Sequence, residues 1–174
     1  MKPSDIRPTG REVYFPADDV IVSKTDPQGR ITYVNRTFIT ISGYVESELL
    51  GEPHNVIRHP DMPRCVFRLL WETIQAKREI FALVKNMTKS GDHYWVLAHV
   101  TPTLDASQSV LGFHSNRRVP ERKQVALFSD LYAKLLAEER RHTDWRVGMA
   151  EAAKILANAS ASAGVSYEQF MFTV

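Results

Sequence analysis

The pattern of apolar and polar residues predicts that the chain opens with a β-hairpin and two short helices. Residues 20–24 and 31–34 are short β-branched runs, and the turn-forming segment 25–29 lies between them. After this hairpin the apolar spacing becomes that of a helix, which ends at Gly43, and residues 46–50 are predicted to add a further helical turn.

The most regular helical pattern follows a proline-containing loop. Asp61 precedes Met62 and Pro63, so we predict that Asp61 is the N-cap of this helix. Its apolar residues recur at helical spacing and predict one buried face: Val66, Phe67, Leu70, Trp71 and Ile74.

Three further strands are predicted at residues 80–88, 93–103 and 110–117, with short turns between them. Short connections favour antiparallel pairing of consecutive strands. Two strands, short helices, a longer helix and three strands form an α+β order. We therefore expect one antiparallel sheet with helices gathered on one face.

A helical extension follows Pro120. Its apolar stripe needs a partner surface, which the sheet, a later helix or a second copy of the chain could supply: Phe128, Leu131, Tyr132 and Leu135. Packing within the chain and a homodimer are equally compatible with this stripe, and we predict weak self-association. The helical pattern continues over residues 150–157, and the Ala- and Ser-rich segment 158–164 is predicted to be a linker.

Composition and charge narrow the functions that remain. Of the 174 residues 44% are apolar and 24% charged, as in ordinary globular proteins. A formal net charge of +2, without a Lys- and Arg-rich run, argues against a nucleic-acid partner. The single cysteine, Cys65, excludes an internal disulfide and favours a reducing compartment. Since neither a signal-peptide pattern nor a run of about 18 apolar residues occurs, we expect a cytoplasmic chain without a membrane span.

The most unusual segment is the loop 53–63, directly before the predicted helix. A helix N-terminus favours an anion, and an arginine adds a planar set of donors for a phosphate or a carbonyl. A phosphate-bearing or carbonyl-rich ligand is therefore one interpretation, and local capping and pairing is the other, which these residues alone favour. The polar side chains of the loop are His54, Asn55, Arg58, His59 and Asp61.

A second polar segment contains Asn86. Strand alternation places its side chain on the same face as Ala82 and Val84. On an inward face its carboxamide could donate to and accept from a heterocycle with carbonyls and ring nitrogens. A solvent-facing Asn86 fits the sequence equally well.

Enzyme signatures do not accompany these segments. The chain has no HExxH, GxSxG or GxGxxG motif, and His54 and His59 lack the spacing that presents two metal ligands from one helix. We therefore predict neither catalytic nor metal-binding residues.

The sequence resembles PAS domains. Asp26, Gly29 and residues 31–35 are similar to the opening of that family. Two longer segments are more specific: GEPHNVIRHPDMP at 51–63 and VKNMTKSGDHYWV at 84–96. These resemble the PAS domains of bacterial aerotaxis receptors of the Aer type and of stand-alone energy-taxis proteins of the CetB type. The likeness covers residues 18–118. Outside it, the residue patterns predict an N-terminal arm at 1–17, C-terminal helices at 119–158 and a linker and tail at 159–174.

This resemblance implies a five-stranded antiparallel sheet with short helices on one side, enclosing noncovalently bound FAD. In that family the arginine, histidine and aspartate of the RHPD loop are needed for flavin binding, and they correspond to Arg58, His59 and Asp61. By their position in the motifs, six residues are further candidates for the cofactor pocket: Asn35, His54, Asn55, Trp71, Asn86 and Tyr94.

One segment departs from the family pattern. Aerotaxis receptors usually carry a tryptophan in a Glu-Pro-Trp-Ser-Gly segment, where this chain has Glu-Ile-Phe-Ala-Leu at 79–83. The aromatic contact to the flavin is therefore either lost or supplied by Phe81.

The function that the resemblance implies is redox sensing rather than catalysis. We expect an FAD-binding sensor for aerotaxis that signals through a separate chemoreceptor-type transducer, which could recruit it to the inner membrane. A PAS module that binds haem or a small metabolite, and a flavin-dependent enzyme, are the alternatives.

Overall fold

The computed structural model describes residues 6–172, so residues 1–5 of the predicted arm and 173–174 of the predicted tail lie outside it. The strands are β1 (Ile21–Thr25), β2 (Ile31–Val34), β3 (Ile80–Met87), β4 (His93–Leu104) and β5 (Val110–Arg118). The α-helices are α1 (Arg36–Ser42), α2 (Glu46–Leu49), α3 (Arg64–Gln75), α4 (Arg122–Arg141), α5 (Trp145–Ser162) and α6 (Tyr167–Phe172), and a 3₁₀ helix lies at His54–Ile57. Within residues 6–172 no helix is both long and apolar enough to cross a membrane.

The strands form one sheet with the order β2-β1-β5-β4-β3, and every neighbouring pair is antiparallel. This confirms the predicted α+β class and the five-stranded antiparallel sheet. Because β5 is the central strand, Arg117 near its end lies between Ile21 of β1 and Ala98 of β4.

Strand alternation decides what each face of the sheet holds. Val84 and Asn86 of β3 line a cavity on one face, as their spacing predicted. Leu83 and Trp95 belong to the opposite face, where Tyr132 of α4 donates a hydrogen bond to the Leu83 carbonyl at 2.7 Å and stacks beside Trp95. The C-terminal extension therefore covers the face of the sheet that the cavity does not use.

The apolar stripe of α4 is covered by its own chain. Phe128, Tyr132 and Leu135 are at most 2% exposed, and Phe128 packs edge-on against Phe170 of α6 with ring centroids 5.6 Å apart. The stripe therefore needs no second copy of the chain to cover it. The predicted self-association stays a prediction, and the stripe no longer supports it.

The prediction of a linker at residues 158–164 is wrong for most of that segment. Helix α5 continues through Ser162 and buries Ser160, because alanine is the best helix former and an Ala-rich run suits a helix as well as a linker. The segment after it forms α6, whose Met171 carbonyl accepts a hydrogen bond from Gln124 of α4 at 2.9 Å.

The described part of the N-terminal arm is irregular but anchored to the turn between β3 and β4. The Thr9 amide donates to the Gly91 carbonyl at 2.9 Å, and the side chains of Thr9 and Arg11 both bind the Asp92 carboxylate. A Cβ on Gly91 would lie 2.2 Å from the Arg7 carbonyl oxygen, so glycine is required for this close approach.

Helix α3 is capped from a distance. It begins at Arg64 with Pro63 at the N-cap position, so the prediction that Asp61 is the N-cap is wrong. Asp61 lies two residues before the cap, whereas Glu139 of α4 accepts a hydrogen bond from the Cys65 amide at 2.9 Å. A carboxylate is favourable at a helix N-terminus. The cap therefore ties the C-terminal extension to the helix that borders the cavity.

Candidate functional site

A cavity of about 530 Å³ lies between the sheet and α3. Its volume falls in the range of roughly 300–1,000 Å³ that is typical of cofactor and ligand sites. The apolar face of α3 forms one wall, as its spacing predicted, and the start of α5 adds two more side chains: Phe67, Leu70, Trp71, Ile74, Trp145 and Met149.

Trp71 is held in this wall by a glycine and a second aromatic ring. A Cβ on Gly29 would lie 2.8 Å from Cη2 of Trp71, and Gly29 also has a φ of 81°. The indole meets Phe113 of β5 edge-on, with ring centroids 5.5 Å apart. Gly29 therefore serves both the turn between β1 and β2 and the close approach of Trp71.

The sheet presents a polar wall opposite α3. Three buried atoms on this wall have no hydrogen-bond partner among the described residues: Asn86 Nδ2, Ser115 Oγ and Arg117 Nη1. Leaving a buried polar group unpaired costs about 1–3 kcal/mol, so folded proteins normally satisfy such groups with water or a ligand. All three atoms can donate, so the wall suits a ligand that has acceptors along one edge and an apolar body.

Arg117 is fixed on this wall by neutral partners. Its Nη2 donates to Ser23 Oγ at 3.0 Å and to His54 Nε2 at 2.7 Å. Burial and the charge of Arg117 lower the pKa of His54 to about 3, so the imidazole is neutral and accepts this bond. Burial lowers the pKa of Arg117 to about 10, which leaves it charged at neutral pH. The wall therefore carries one positive charge beside a neutral histidine.

A second cavity of about 650 Å³ adjoins the first. Asn55, Arg58, Arg64 and Trp145 line both cavities. Arg140 adds a third guanidinium to the lining of the second cavity, and among the described residues Glu139 is its carboxylate. Guanidinium groups bind phosphate oxygens in pairs, so the junction of the two cavities suits a phosphate-bearing ligand.

Arg58 lies at this junction. Its guanidinium sits over the Phe67 ring, 4.5 Å from the centroid, and Nη2 donates to the Met62 carbonyl at 2.8 Å. Its backbone pairs with Asn86 of β3 through an isolated antiparallel bridge. Arg58 therefore connects the loop before α3 to the strand that carries the polar wall.

The structure brings together five of the nine predicted site residues. The residues that line the first cavity are His54, Asn55, Arg58, Trp71 and Asn86. Asn35, His59, Asp61 and Tyr94 do not line it, and their contribution to cofactor binding stays a prediction.

Asn35 and Tyr94 support the site from outside the cavity. Asn35 caps α1, because its Oδ1 accepts from the Phe38 amide at 3.1 Å and from the Val22 amide at 3.0 Å. Tyr94 is 1% exposed and is the cross-strand partner of Asn86 on the cavity face. A change at Tyr94 would therefore reach the cavity through Asn86.

His59 and Asp61 shape the loop before α3. His59 is 2% exposed and lines the second cavity, and its Nδ1 accepts from the Asp61 amide at 3.0 Å. Burial lowers the pKa of His59 to about 4. The Asp61 side chain is 53% exposed and pairs with Lys85 at 2.9 Å. Asp61 thus ties the loop to β3 from the solvent side.

Phe81, which replaces the family's tryptophan, does not line the first cavity. It stacks on His99 with ring centroids 4.2 Å apart and packs against Phe172 of α6. Strand alternation places Phe81 on the face opposite Asn86. Aromatic rings of the first cavity come instead from Phe67, Trp71, Phe113 and Trp145.

Sequence reasoning missed Ser115, Arg117 and Trp145. The alternation of β5 contained a signal for the first two, because Phe113, Ser115 and Arg117 share one face of that strand. Trp145 reaches the cavity only because α4 and α5 fold back toward α3, and no local pattern predicts that packing.

Comparison with known proteins identifies the family of this fold. The sequence profile of the PAS fold matches residues 18–117, more than half of the chain. The chain belongs to the PAS family. Among curated PAS relatives, the aerotaxis receptor of Escherichia coli strain K12 is 40% identical over 120 residues, which cover 69% of this chain and 24% of that protein. The biofilm dispersion protein BdlA of Pseudomonas aeruginosa is 30% identical over 87 residues, 49% of this chain and 21% of that protein.

Solved structures share the PAS fold with this chain. A light-oxygen-voltage domain studied with a flavin analogue matches with a TM-score of 0.56 and 18% identity, over 71% of this chain and 87% of that one. The blue-light photoreceptor Aureochrome1 LOV in its light state matches with a TM-score of 0.55 and 19% identity, over 72% of this chain and 93% of that one. This PAS chain spans about a quarter of the length of the two curated relatives.

Proposed function

We propose that this PAS chain binds FAD and reports the redox state of that flavin to a separate transducer protein. The observation that carries the proposal is the polar wall, where Asn86, Ser115 and Arg117 each present a buried atom without a partner to a cavity whose opposite wall is the apolar face of α3. An isoalloxazine ring has acceptors along its pyrimidine edge and an apolar benzenoid end, so it complements both walls. The flavin would supply the reversible electron transfer, and the chain would bind and orient it.

The dinucleotide form is supported by the second cavity. Its basic lining adjoins the flavin-sized cavity at Arg58 and Arg64, where a pyrophosphate would find paired donors. A flavin that ends at one phosphate would leave most of this second cavity without a ligand. We therefore favour FAD over FMN.

The output in this proposal is a signal and not a reaction product. Asn86 can reverse a hydrogen bond by turning its amide, so it can respond when a ring nitrogen gains or loses a proton. Only contacts that differ between two ligand states can shift the protein's conformation. The similarity to an aerotaxis receptor favours a chemoreceptor-type transducer as the partner, with this chain acting in the cytoplasm.

An absorption spectrum of the purified protein between about 350 and 600 nm tests the proposal, because flavin and haem have distinct chromophores in this window. We expect a flavin spectrum that dithionite bleaches and air restores, and FAD as the cofactor released on denaturation. Ser115→Leu should lower the flavin content by filling the polar wall, whereas Leu111→Ser, on the exposed surface of the same strand, is the matched control.

Three outcomes would contradict the proposal. A haem spectrum would show that the cofactor is haem and not flavin. A colourless protein that takes up neither FAD nor FMN on reconstitution would indicate that the cavity binds another metabolite. Released FMN would retain the flavin but overturn its dinucleotide form.

A further inference from the structure

Arg117 is a buried cation without a carboxylate partner. Its side chain lies on the central strand, the residue is only 5% exposed, and no ion pair to it occurs among the described residues. Its hydrogen bonds go to Ser23 and to the neutral His54, and Nη1 has none. The ring of Phe38 lies 5.6 Å from Cζ of Arg117 and offsets part of the charge. Arg117 therefore reaches the cavity without a counter-ion.

Such a charge is unfavourable unless something offsets it. Burying an ion costs several kcal/mol, and buried charges in proteins are normally paired. The ionisable group that acts on the pKa of Arg117 is the Tyr94 hydroxyl. Burial raises the pKa of Tyr94, so this hydroxyl is neutral at pH 7 and supplies no counter-charge. The site is thus arranged to receive negative charge from the ligand.

We propose that Arg117 sets the redox potential of the bound flavin by contacting its pyrimidine edge and favouring the reduced form that carries negative charge there. This inference rests on the proposed flavin binding. The neutral His54 has a positioning role, because its Nε2 and Ser23 Oγ fix one arm of the guanidinium and leave the other for the ligand.

The charge balance shows what Arg117 discriminates. The oxidised ring is neutral; two electrons from a chemical reductant and one proton from solvent give it one negative charge. A second proton from solvent would make the reduced ring neutral. A fixed cation beside the pyrimidine edge favours the one-proton product over the two-proton product, and it favours reduction over oxidation.

The experiment is a redox titration of the flavin-loaded protein between about pH 6 and 8, with three variants. Arg117→Met removes the charge at similar length, Arg117→Lys keeps the charge without the planar fork, and Arg118→Met is the matched control on the exposed neighbour in β5. Because Arg117 has no ion-pair partner among the described residues, Arg117→Met leaves no opposite charge unpaired in the interior.

We expect Arg117→Met to lower the ratio of affinities for reduced and oxidised flavin about tenfold, which is a potential about 30 mV more negative. We also expect the dependence of the potential on pH to rise from about 30 toward about 59 mV per pH unit at the acid end of this range, because the reduced ring in the variant takes up its second proton about one pH unit higher. Arg117→Lys should retain the one-proton dependence, and Arg118→Met should match the wild type.

An Arg117→Met protein with unaltered potential and pH dependence would overturn the inference and leave flavin binding intact. If this variant purifies without flavin, its affinities for added FAD are measured in the oxidised state and under dithionite. A larger loss for reduced FAD supports the inference, and equal losses overturn it. A wild-type protein that binds no flavin would instead overturn the proposed function itself.

Discussion

Arg117 donates a hydrogen bond from Nη2 to Nε2 of His54 at 2.7 Å, which joins the end of β5 to the 3₁₀ helix before α3. Because a guanidinium can only donate, the bond requires a neutral His54 whose Nε2 is unprotonated. The 3₁₀ helix and the polar wall therefore depend on each other through the protonation state of one imidazole.

This dependence predicts that acid destabilises the fold through His54. Its pKa is about 3 in the folded chain and near the usual 6.5 when unfolded, so between these values the unfolded chain binds the extra proton. Stability is then complete above about pH 6.5 and falls as the pH drops, by up to about 1.4 kcal/mol per pH unit for one group. Urea unfolding at several values between about pH 5 and 7.5 measures this slope.

His54→Gln is the variant that isolates this contribution. Glutamine keeps an acceptor for Arg117 but does not titrate, so we expect a shallower slope than in the wild type. The pKa of His59 is also lowered in the folded chain, to about 4, so His59 supplies part of the slope that remains. Identical slopes in the two proteins would show that His54 does not control acid stability.

Replacing Arg58 by alanine should remove most of the bound flavin and leave the fold intact. The side chain lies at the junction of the two cavities, where its fork would bind the pyrophosphate, and its loss also removes the contact with Phe67. Flavin absorbance per protein, together with far-ultraviolet circular dichroism, measures both effects.

Arg68→Ala is the comparison for Arg58, because Arg68 borders the first cavity but pairs with Glu72 on the surface of α3. We expect it to retain most of its flavin. Stoichiometric flavin in Arg58→Ala would show that Arg58 does not bind the ligand. Equal losses of flavin in both variants would show that only the net positive charge near the cavity matters, and not the position of Arg58.

Asn86→Leu should either lose flavin or retain it with a shifted potential. Leucine removes a donor from the polar wall and cannot follow the reversal of a hydrogen bond at a ring nitrogen. Asn86→Asp should also be impaired, because a carboxylate places negative charge against the ligand's acceptor edge. Redox titration and a swimming-plate assay in a strain without the native gene measure binding and signalling together.

Lys85→Ala is the neighbouring control on the opposite face of β3. It breaks the exposed pair with Asp61, and we expect flavin content and swimming to change little, since such pairs contribute about 0–1 kcal/mol. Unchanged potential and taxis in Asn86→Leu would make Asn86 a structural residue of the sheet.

Glu139→Ala should destabilise the folded chain by about 1–3 kcal/mol, because it leaves the buried Cys65 amide at the start of α3 without an acceptor. Glu139→Gln keeps an acceptor and should lose less. Denaturant midpoints of the two variants give the comparison, and equal midpoints would mean that the acceptor at Cys65 does not contribute to stability.

Local patterns predicted the parts of the fold that depend on local chemistry. Strand alternation placed Asn86 on the face of Val84, although not whether that face is inward, and helical spacing predicted the apolar wall of α3. The cap of α3 could not be predicted in this way, since its acceptor, Glu139, is 74 residues from Cys65 in sequence. Asp61 had the local signature of a cap but lies too far from the first turn.

The polar wall was predictable only in part. Arg117 stands in the sequence Asn-Arg-Arg at a strand end, which reads as a solvated charge until its neighbours in β1 and β4 are known. The wrong prediction of a linker at residues 158–164 had a different cause. Alanine is common both in helices and in linkers, and only packing against other elements decides which of the two an Ala-rich segment forms.

The start of α5 has a consequence for how long a ligand stays bound. Trp145 and Met149 border the first cavity, while between them Gly148 touches α4 so closely that a Cβ would lie 2.5 Å from the Glu139 carbonyl oxygen. The helix can therefore move away from the cavity only by separating from α4 at the residue that also caps α3. We therefore expect a ligand that passes on this side of the cavity to wait for local opening of the helical hairpin, so that a less stable hairpin exchanges its ligand faster.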